Sequence, residues 1–247
     1  PVPAKVVVLV MSDFQCPVCR RSADATDQIA EEFPGEVRVE FWQHPLTMHA
    51  NAENAAVASL AAQRQGKFWE YHDEVFRNQS AIDPASLAGY AEQLGLDVER
   101  FKKDYAAPKL RARAKSEAAA ADRFGARSTP AFMINGNLKT GWGSWNGFRG
   151  DVERELNEAR KLESEGVPID QIASRRPYDA PGGGARFWYR LRPLDETIVH
   201  KTHIVYPLSE AKMRRLAALF LDSDWQPTRL PSYDTDAASN PFISFDQ

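Results

Sequence analysis

A chain of 247 residues with a formal net charge of -3 and a pI near 6.0 lacks the basic footprint that a nucleic-acid partner would require. It is long enough to bury a full core without staples, and two cysteines are too few to scaffold it by disulfides. The longest apolar run, residues 6–11, is too short to span a bilayer or to act as a secretory h-region.

Residues 6–11, with Val6-Val7-Val8 and Val10, read as a buried central strand. Residues 17–33 have helical character and are closed by Pro34-Gly35. Residues 37–42 begin by alternating apolar and polar side chains, so they predict a second strand, parallel to the first across a right-handed βαβ crossover. A helical block follows. Residues 51–65 are rich in alanine, and residues 67–78 carry Phe68, Val75 and Phe76. Asp83-Pro84 opens a helix through Leu94, Asp97 opens one to Tyr105, and residues 108–124 form another. The β pattern then returns: Ala131-Phe132-Met133-Ile134 predicts a strand, Asn135-Gly136 a hairpin turn and Leu138-Lys139-Thr140 the return strand. Residues 146–165 close the unit as an amphipathic helix with Phe148, Val152, Leu156, Ala159 and Leu162 on its core stripe.

Both cysteines lie in Phe14-Gln15-Cys16-Pro17-Val18-Cys19, at the turn from the first strand into the first helix. A C-x-x-C unit serves either as half of a zinc site or as a reversible disulfide. Zinc needs two more ligands, and His44, His49, His72, His200 and His203 form no second motif at ligand spacing, so no metal is expected. Redox chemistry fits the position. Pro17 suits the first helical residue, where a missing N–H costs nothing, and Cys16 falls at the cap, beside unpaired backbone N–H groups. The positive end of the helix should stabilise a Cys16 thiolate, while Cys19, one turn further in, should stay protonated. Spacing i, i+3 brings the sulfurs within bonding reach. Arg20 and Arg21 read as solvent-facing charges that add positive potential near Cys16, and Asp13 as a turn or capping residue. His44 reads as a strand-end packing residue. Trp42, Phe68 and Trp69 are expected to fill the interface between the helical block and the sheet.

Four segments in order resemble the DsbA-like thiol-disulfide oxidoreductases. They are Ser12-Asp13-Phe14-Gln15-Cys16-Pro17-Val18-Cys19, then Pro45-Leu46-Thr47-Met48-His49 leading into Asn51-Ala52-Glu53, then Lys67-Phe68-Trp69, and Ser128-Thr129-Pro130-Ala131-Phe132. The likeness covers about residues 5–162. It implies an α/β chain with a thioredoxin-like fold and an inserted helical domain, to which a small C-terminal α+β extension is added. The domains expected are residues 1–165 with the insertion at about 50–124, a linker at 166–185 and an extension at 186–247 of unreadable role. Within the extension, residues 186–192 and 197–206 read as a hairpin and 209–221 as a helix. The resemblance makes Thr129-Pro130 a cis-proline loop facing the dicysteine, where the Thr129 backbone pairs with an extended substrate. Phe14, Pro17 and Val18 become neighbours of the reacting pair.

The activity so implied is dithiol-disulfide exchange, without a cofactor, on cysteine-containing protein or peptide substrates, with a redox partner that recycles the pair. An extracytoplasmic location follows from the same resemblance. The chain starts at Pro1 with no signal peptide in view, so it reads as a processed product. Two other readings stay open: a glutathione-dependent transferase or isomerase of the same fold, and a non-catalytic binding module with a vestigial dithiol. One departure stands out. Oxidoreductases of this fold commonly carry a buried acid six positions before the attacking cysteine, and Val10 stands there. Glu40 is the nearest replacement by sequence pattern.

Overall fold

The computed structural model describes residues 4–173 of the chain. The expected hairpin at 186–206 and helix at 209–221 lie outside the described residues, as do His200 and His203.

Strand β1 (Val6–Ser12) is buried at all seven positions and sits inside the sheet, which runs β2-β1-β3-β4. It pairs in parallel with β2 (Val37–Gln43), with Val10 opposite Phe41, and antiparallel with β3 (Ala131–Ile134), with Val10 opposite Phe132. The edge strand β4 (Asn137–Thr140) returns through a turn in which Asn135 and Gly136 both have positive φ, 41° and 87°. That is the requirement of a two-residue hairpin whose twist matches its strands. Asn135 adds a second function. Its side chain accepts from the Val7 amide at 2.9 Å and donates to the Lys5 carbonyl, fastening the turn to the start of β1.

Strand alternation gives the sheet two apolar faces, and each is covered. Val6, Val8, Val10, Val37, Val39, Phe132 and Ile134 pack against Ala25 and Ile29 of α2 (Ala25–Glu32) and Phe148, Val152 and Leu156 of α8 (Trp145–Ser164). On the other face Leu9, Met11 and Met133 meet Ala121 of α7 (Pro108–Arg123). Between β2 and β3 the chain makes α3 (Ala52–Gln63), α4 (Phe68–Arg77), α5 (Pro84–Gln93), α6 (Val98–Ala106) and α7. The alanine-rich α3 is buried on every side, since small side chains let neighbouring helices approach all around it. Aspartates start two of these helices as the sequence predicts: Asp83 accepts from the Ala85 and Ser86 amides, and Asp97 from Arg100.

One expectation needs correction. The helix read at 17–33 is two helices, α1 (Pro17–Ser22) and α2, separated at Ala23 and Asp24. The Ser22 and Thr26 hydroxyls donate to the Cys19 and Ala23 carbonyls at 2.9 and 2.8 Å, and such back-bonding bends or interrupts a helix.

Of the linker expected at 166–185, the structure describes residues 166–173, which Gly166 opens. It ends α8 in the left-handed conformation at φ 87°, with its amide on the Glu163 carbonyl and the Val167 amide on Leu162, a Schellman stop. The chain turns back, and Val167 and Ile172 pack on Ala159 and Leu162. Ile172→Ala should therefore cost about 2–5 kcal/mol, as for other buried Ile truncations. Urea unfolding of the full chain checks this, and cutting after 165 should destabilise more than cutting after 173.

Candidate active site

The site is built where β1 ends. Residues Asp13 to Gln15 turn the chain so that Cys16 becomes the N-cap of α1, with φ -73° and ψ 122°, and Pro17 takes the first helical position. Cys16 keeps 5% of its surface exposed and Cys19 none. Both are free thiols. Phe14 is buried and holds the turn to the helical domain, its ring 5.6 Å from Phe41 and 4.9 Å from Phe76. Pro17 is exposed and Val18 half-buried, forming the rim. Gln79, beyond α4, donates one amide to both the Phe14 and Cys16 carbonyls at 2.9 and 2.8 Å, pinning the turn from the other side.

The two sulfurs sit in opposite electrostatic environments. Cys16 is brought down to about 5, first by a hydrogen bond from the Cys19 thiol, then by contacts at Thr129 and the backbone N–H groups of Cys19 and Val18, which together outweigh burial. Burial drives the Cys19 thiol far upward, reinforced by its bond to Cys16; the Ser12 hydroxyl and the Asp13 N–H, 3.5 Å from the sulfur, only partly oppose it. One thiol is thereby favoured as the thiolate and the other held protonated.

Thr129 and Pro130 reach this pair from 113 residues along the chain. Their peptide bond is cis, both residues are buried, and the Cys16 thiol lies 3.5 Å from the Thr129 carbonyl. The exposed Arg127 and Ser128 lead into this loop.

The depressed Cys16 value has a consequence for stability. An unfolded cysteine ionises near 8.5, so the folded thiolate stabilises the reduced form fully above that pH, and the contribution is lost as pH falls through about 5. The raised Cys19 value opposes it only above about 8.5. The melting temperature of the reduced protein, measured relative to the oxidised one, should rise steadily from pH 5 to pH 8. A flat difference would contradict the environment described for Cys16.

Other sequence candidates fall differently. Glu40 stands opposite Leu9 and beside Arg38, whose guanidinium it meets at 3.1 Å, so it occupies the sheet face away from Val10 and Phe41. It cannot replace an acid at Val10, because adjacent strand positions point to opposite faces. His44 is buried with its Nε2 3.3 Å from Asp122, and burial pushes its pKa down. Its amide donates to the Ser12 carbonyl, so it supports the end of β1. Arg20 and Arg21 are exposed on α1. Trp42 packs on Phe124, at the foot of α7, while Phe68 and Trp69 join Phe41 and His72 in a ring cluster under Phe14.

Sequence reasoning assigned two contributors no role and read a third, Asp13, only as a turn or capping residue. Asp13 is fully buried and accepts from the Gln15 amide, the Leu46 amide and the His49 ring, which makes it far more than a turn residue. Gln79 carries no motif at all. Gln15 accepts from the Asn51 amide at 2.7 Å. An acid three positions before Cys16, together with a histidine in the 45–49 segment, was the available signal for the first.

A four-stranded sheet that delivers a dithiol at its first strand-to-helix turn, against a distant cis-proline loop, defines a thioredoxin-fold protein. The chain belongs to the thioredoxin family, whose model, described as Thioredoxin, matches residues 2–154. A second model, described as Fatty acid cis/trans isomerase (CTI), matches residues 153–247. Among solved structures, a thioredoxin-like oxidoreductase from Silicibacter pomeroyi is similar at 25% identity and a TM-score of 0.55, over 64% of this chain and 88% of that one. BdbD from Bacillus subtilis has the same fold at 20% identity and 0.56, over 62% and 89%. So does alpha-DsbA2 of Wolbachia pipientis, a thiol-disulfide exchange protein, at 19% and 0.56 over 61% and 82%. Curated relatives include the Na(+)/H(+) antiporters NhaA 3 of Salinispora tropica and NhaA 1 of Salinispora arenicola, 33% and 38% identical over 184 residues. The matched segment is 72% of this chain, which spans only 28% of either antiporter. Among the described residues no helix is long and apolar enough to cross a membrane.

Proposed function

We propose that this protein is a thiol-disulfide oxidoreductase acting on cysteines of protein or peptide substrates through the Cys16-Cys19 pair. The observation that carries this reading is the asymmetry of the dithiol: Cys16 is held near 5 at a helix cap, and Cys19 is fully buried and held protonated. In the oxidising direction a substrate thiolate attacks Cys16 in the disulfide form and the Cys19 sulfur leaves, taking up a proton. A second substrate thiolate then attacks the substrate sulfur, and Cys16 leaves as thiolate. Two electrons pass from substrate to protein, and a redox partner removes them. In reverse, Cys16 attacks a substrate disulfide and Cys19 resolves the mixed disulfide. No cofactor enters the exchange.

Thr129 and Pro130 are proposed to hold the substrate segment, because the Thr129 backbone is already within 3.5 Å of the reacting sulfur. The names of the similar structures, a thioredoxin-like oxidoreductase and a thiol-disulfide exchange protein among them, support the activity. One is a periplasmic thioredoxin-like protein from Salmonella enterica, which supports an extracytoplasmic site of action here. The two family matches meet within α8, at residues 153 and 154. They support reading the chain as an exchange domain, insertion included, joined to a second module that contains residues 186–247.

Insulin reduction, run beside the refolding of a reduced disulfide protein, tests the reading. Activity in at least one is expected. Failure in both, with the dithiol intact, would leave the binding module or the glutathione-dependent transferase.

A further inference from the structure

The Asp13 backbone reaches both cysteines: its carbonyl accepts from the Cys16 amide at 3.1 Å and its amide points to the Cys19 sulfur at 3.5 Å. Its side chain is fully buried. The carboxyl group thus belongs to a residue whose backbone touches both cysteines, and a negative charge on it would disfavour a second one on a neighbouring thiol in a poorly solvated site. The Gln15 and Leu46 amides, at 2.7 and 2.8 Å, solvate the carboxylate but bring no charge. The third partner is His49: its Nδ1 lies 2.7 Å from Asp13 Oδ2, and its side chain keeps 20% of its surface exposed.

The other titratable groups near Asp13 are Cys16 and Cys19 from α1 and His44 from the end of β2. His44 is committed to Asp122 of α7, and its burial works against a charge. The 45–51 loop is fixed to the dithiol turn at three points: Leu46 and His49 on Asp13, and the Asn51 amide on Gln15. Its tip, Met48, is 80% exposed beside His49.

We propose that His49 is a positioning residue for the exchange reaction: its imidazolium form cancels the charge of the buried Asp13 and clamps the 45–51 loop to the dithiol turn, leaving Cys16 free to ionise. The inference rests on the exchange reading for its consequence, but its physical content is a charge coupling measurable without any substrate. Thiolate absorbance at 240 nm, followed against pH in the reduced full-length protein, reports the Cys16 midpoint. His49→Gln should leave the Asp13 charge uncompensated and cut the thiolate fraction about tenfold at pH values below the midpoint. His49→Lys, which keeps a cation, should stay near the parent. The double variant Asp13→Asn with His49→Gln should return towards it, because the charge to be cancelled is gone.

A merely structural histidine would lower the melting temperature of His49→Gln without moving the thiol titration, and that result overturns the proposal. So does a double variant that titrates like His49→Gln alone. Should the Asp13 variant not fold, the contrast between His49→Gln and His49→Lys still decides. A protein inactive in both exchange assays whose titration responds as described loses the exchange reading and retains the coupling.

Discussion

Cys19→Ser should accumulate mixed disulfides with substrate proteins, and Cys16→Ser should trap none. The reason lies in which sulfur can attack and which can only resolve. With Cys16 near 5, about nine-tenths of it is thiolate at pH 6, against roughly 0.3% for a cysteine ionising at 8.5. The gain in thiolate is thus about 300-fold. A less basic thiolate is also a weaker nucleophile, and a Brønsted slope of about 0.4–0.5 over this difference takes back roughly 25- to 60-fold. The net advantage over an ordinary cysteine at pH 6 is about five- to tenfold. Against Cys19 it is far larger, because that thiol is buried and scarcely ionised. Iodoacetamide at pH 6 should therefore modify Cys16 almost alone, with a labelling midpoint near pH 5, read by mass spectrometry of the cysteine peptide. Faster modification of Cys19 would reverse the assignment. The same low basicity makes Cys16 a good leaving group, so substrate release from the mixed disulfide should be fast in the parent protein.

The part of this site visible in sequence is the part written in local rules. Cys16 at a cap, Pro17 at the first helical position and Cys19 one turn on follow from a β-branched run, a C-x-x-C and a proline, all within fourteen residues of Val6. The Asn135-Gly136 turn and the Asp83 and Asp97 caps are equally local, and each lies where its chemistry predicts. What escaped depends on the third dimension. Asp13 and His49 are 36 positions apart, and their meeting needs β2 to run beside β1 and the next loop to fold back over the turn. Gln79 acts through a side-chain amide that no spacing rule singles out. The break at Ala23 follows from two hydroxyls whose inward direction is not written in a helical pattern. Gly166 carries two signals at once: a glycine among polar residues suits a linker, and the same residue is the usual stop of a helix, here one whose next residues pack back on it. The placement of Thr129-Pro130 at the dithiol came from resemblance, and a Thr-Pro pair alone would not have implied it.

Val10 is where the sequence departs from its resemblance, and substituting it should have the largest effect on a single step. Val10 is buried between Phe41 and Phe132, on the sheet face that packs against α2 and α8. With Glu40 on the other face, Cys19 meets the Ser12 hydroxyl and the Asp13 N–H at the end of β1. Neither is a base at neutral pH. The attack of Cys19 on a mixed disulfide should therefore be slow at pH 7 and accelerate as pH rises. A positioned acid–base group contributes about 10²- to 10⁴-fold where proton transfer limits the rate. Val10→Glu should thus speed resolution below pH 7 by up to that factor, while lowering the melting temperature, because it places an ionisable group in an apolar layer. The burial that costs stability also raises the carboxyl pKa, towards the range where it can both take and return a proton. Stopped-flow measurement of mixed-disulfide resolution across pH separates the two effects. Equal rates for the parent and Val10→Glu at low pH would mean that another group already carries the proton, and the Asp13-His49 pair, the buried acid joined to the dithiol turn, would be the first to replace.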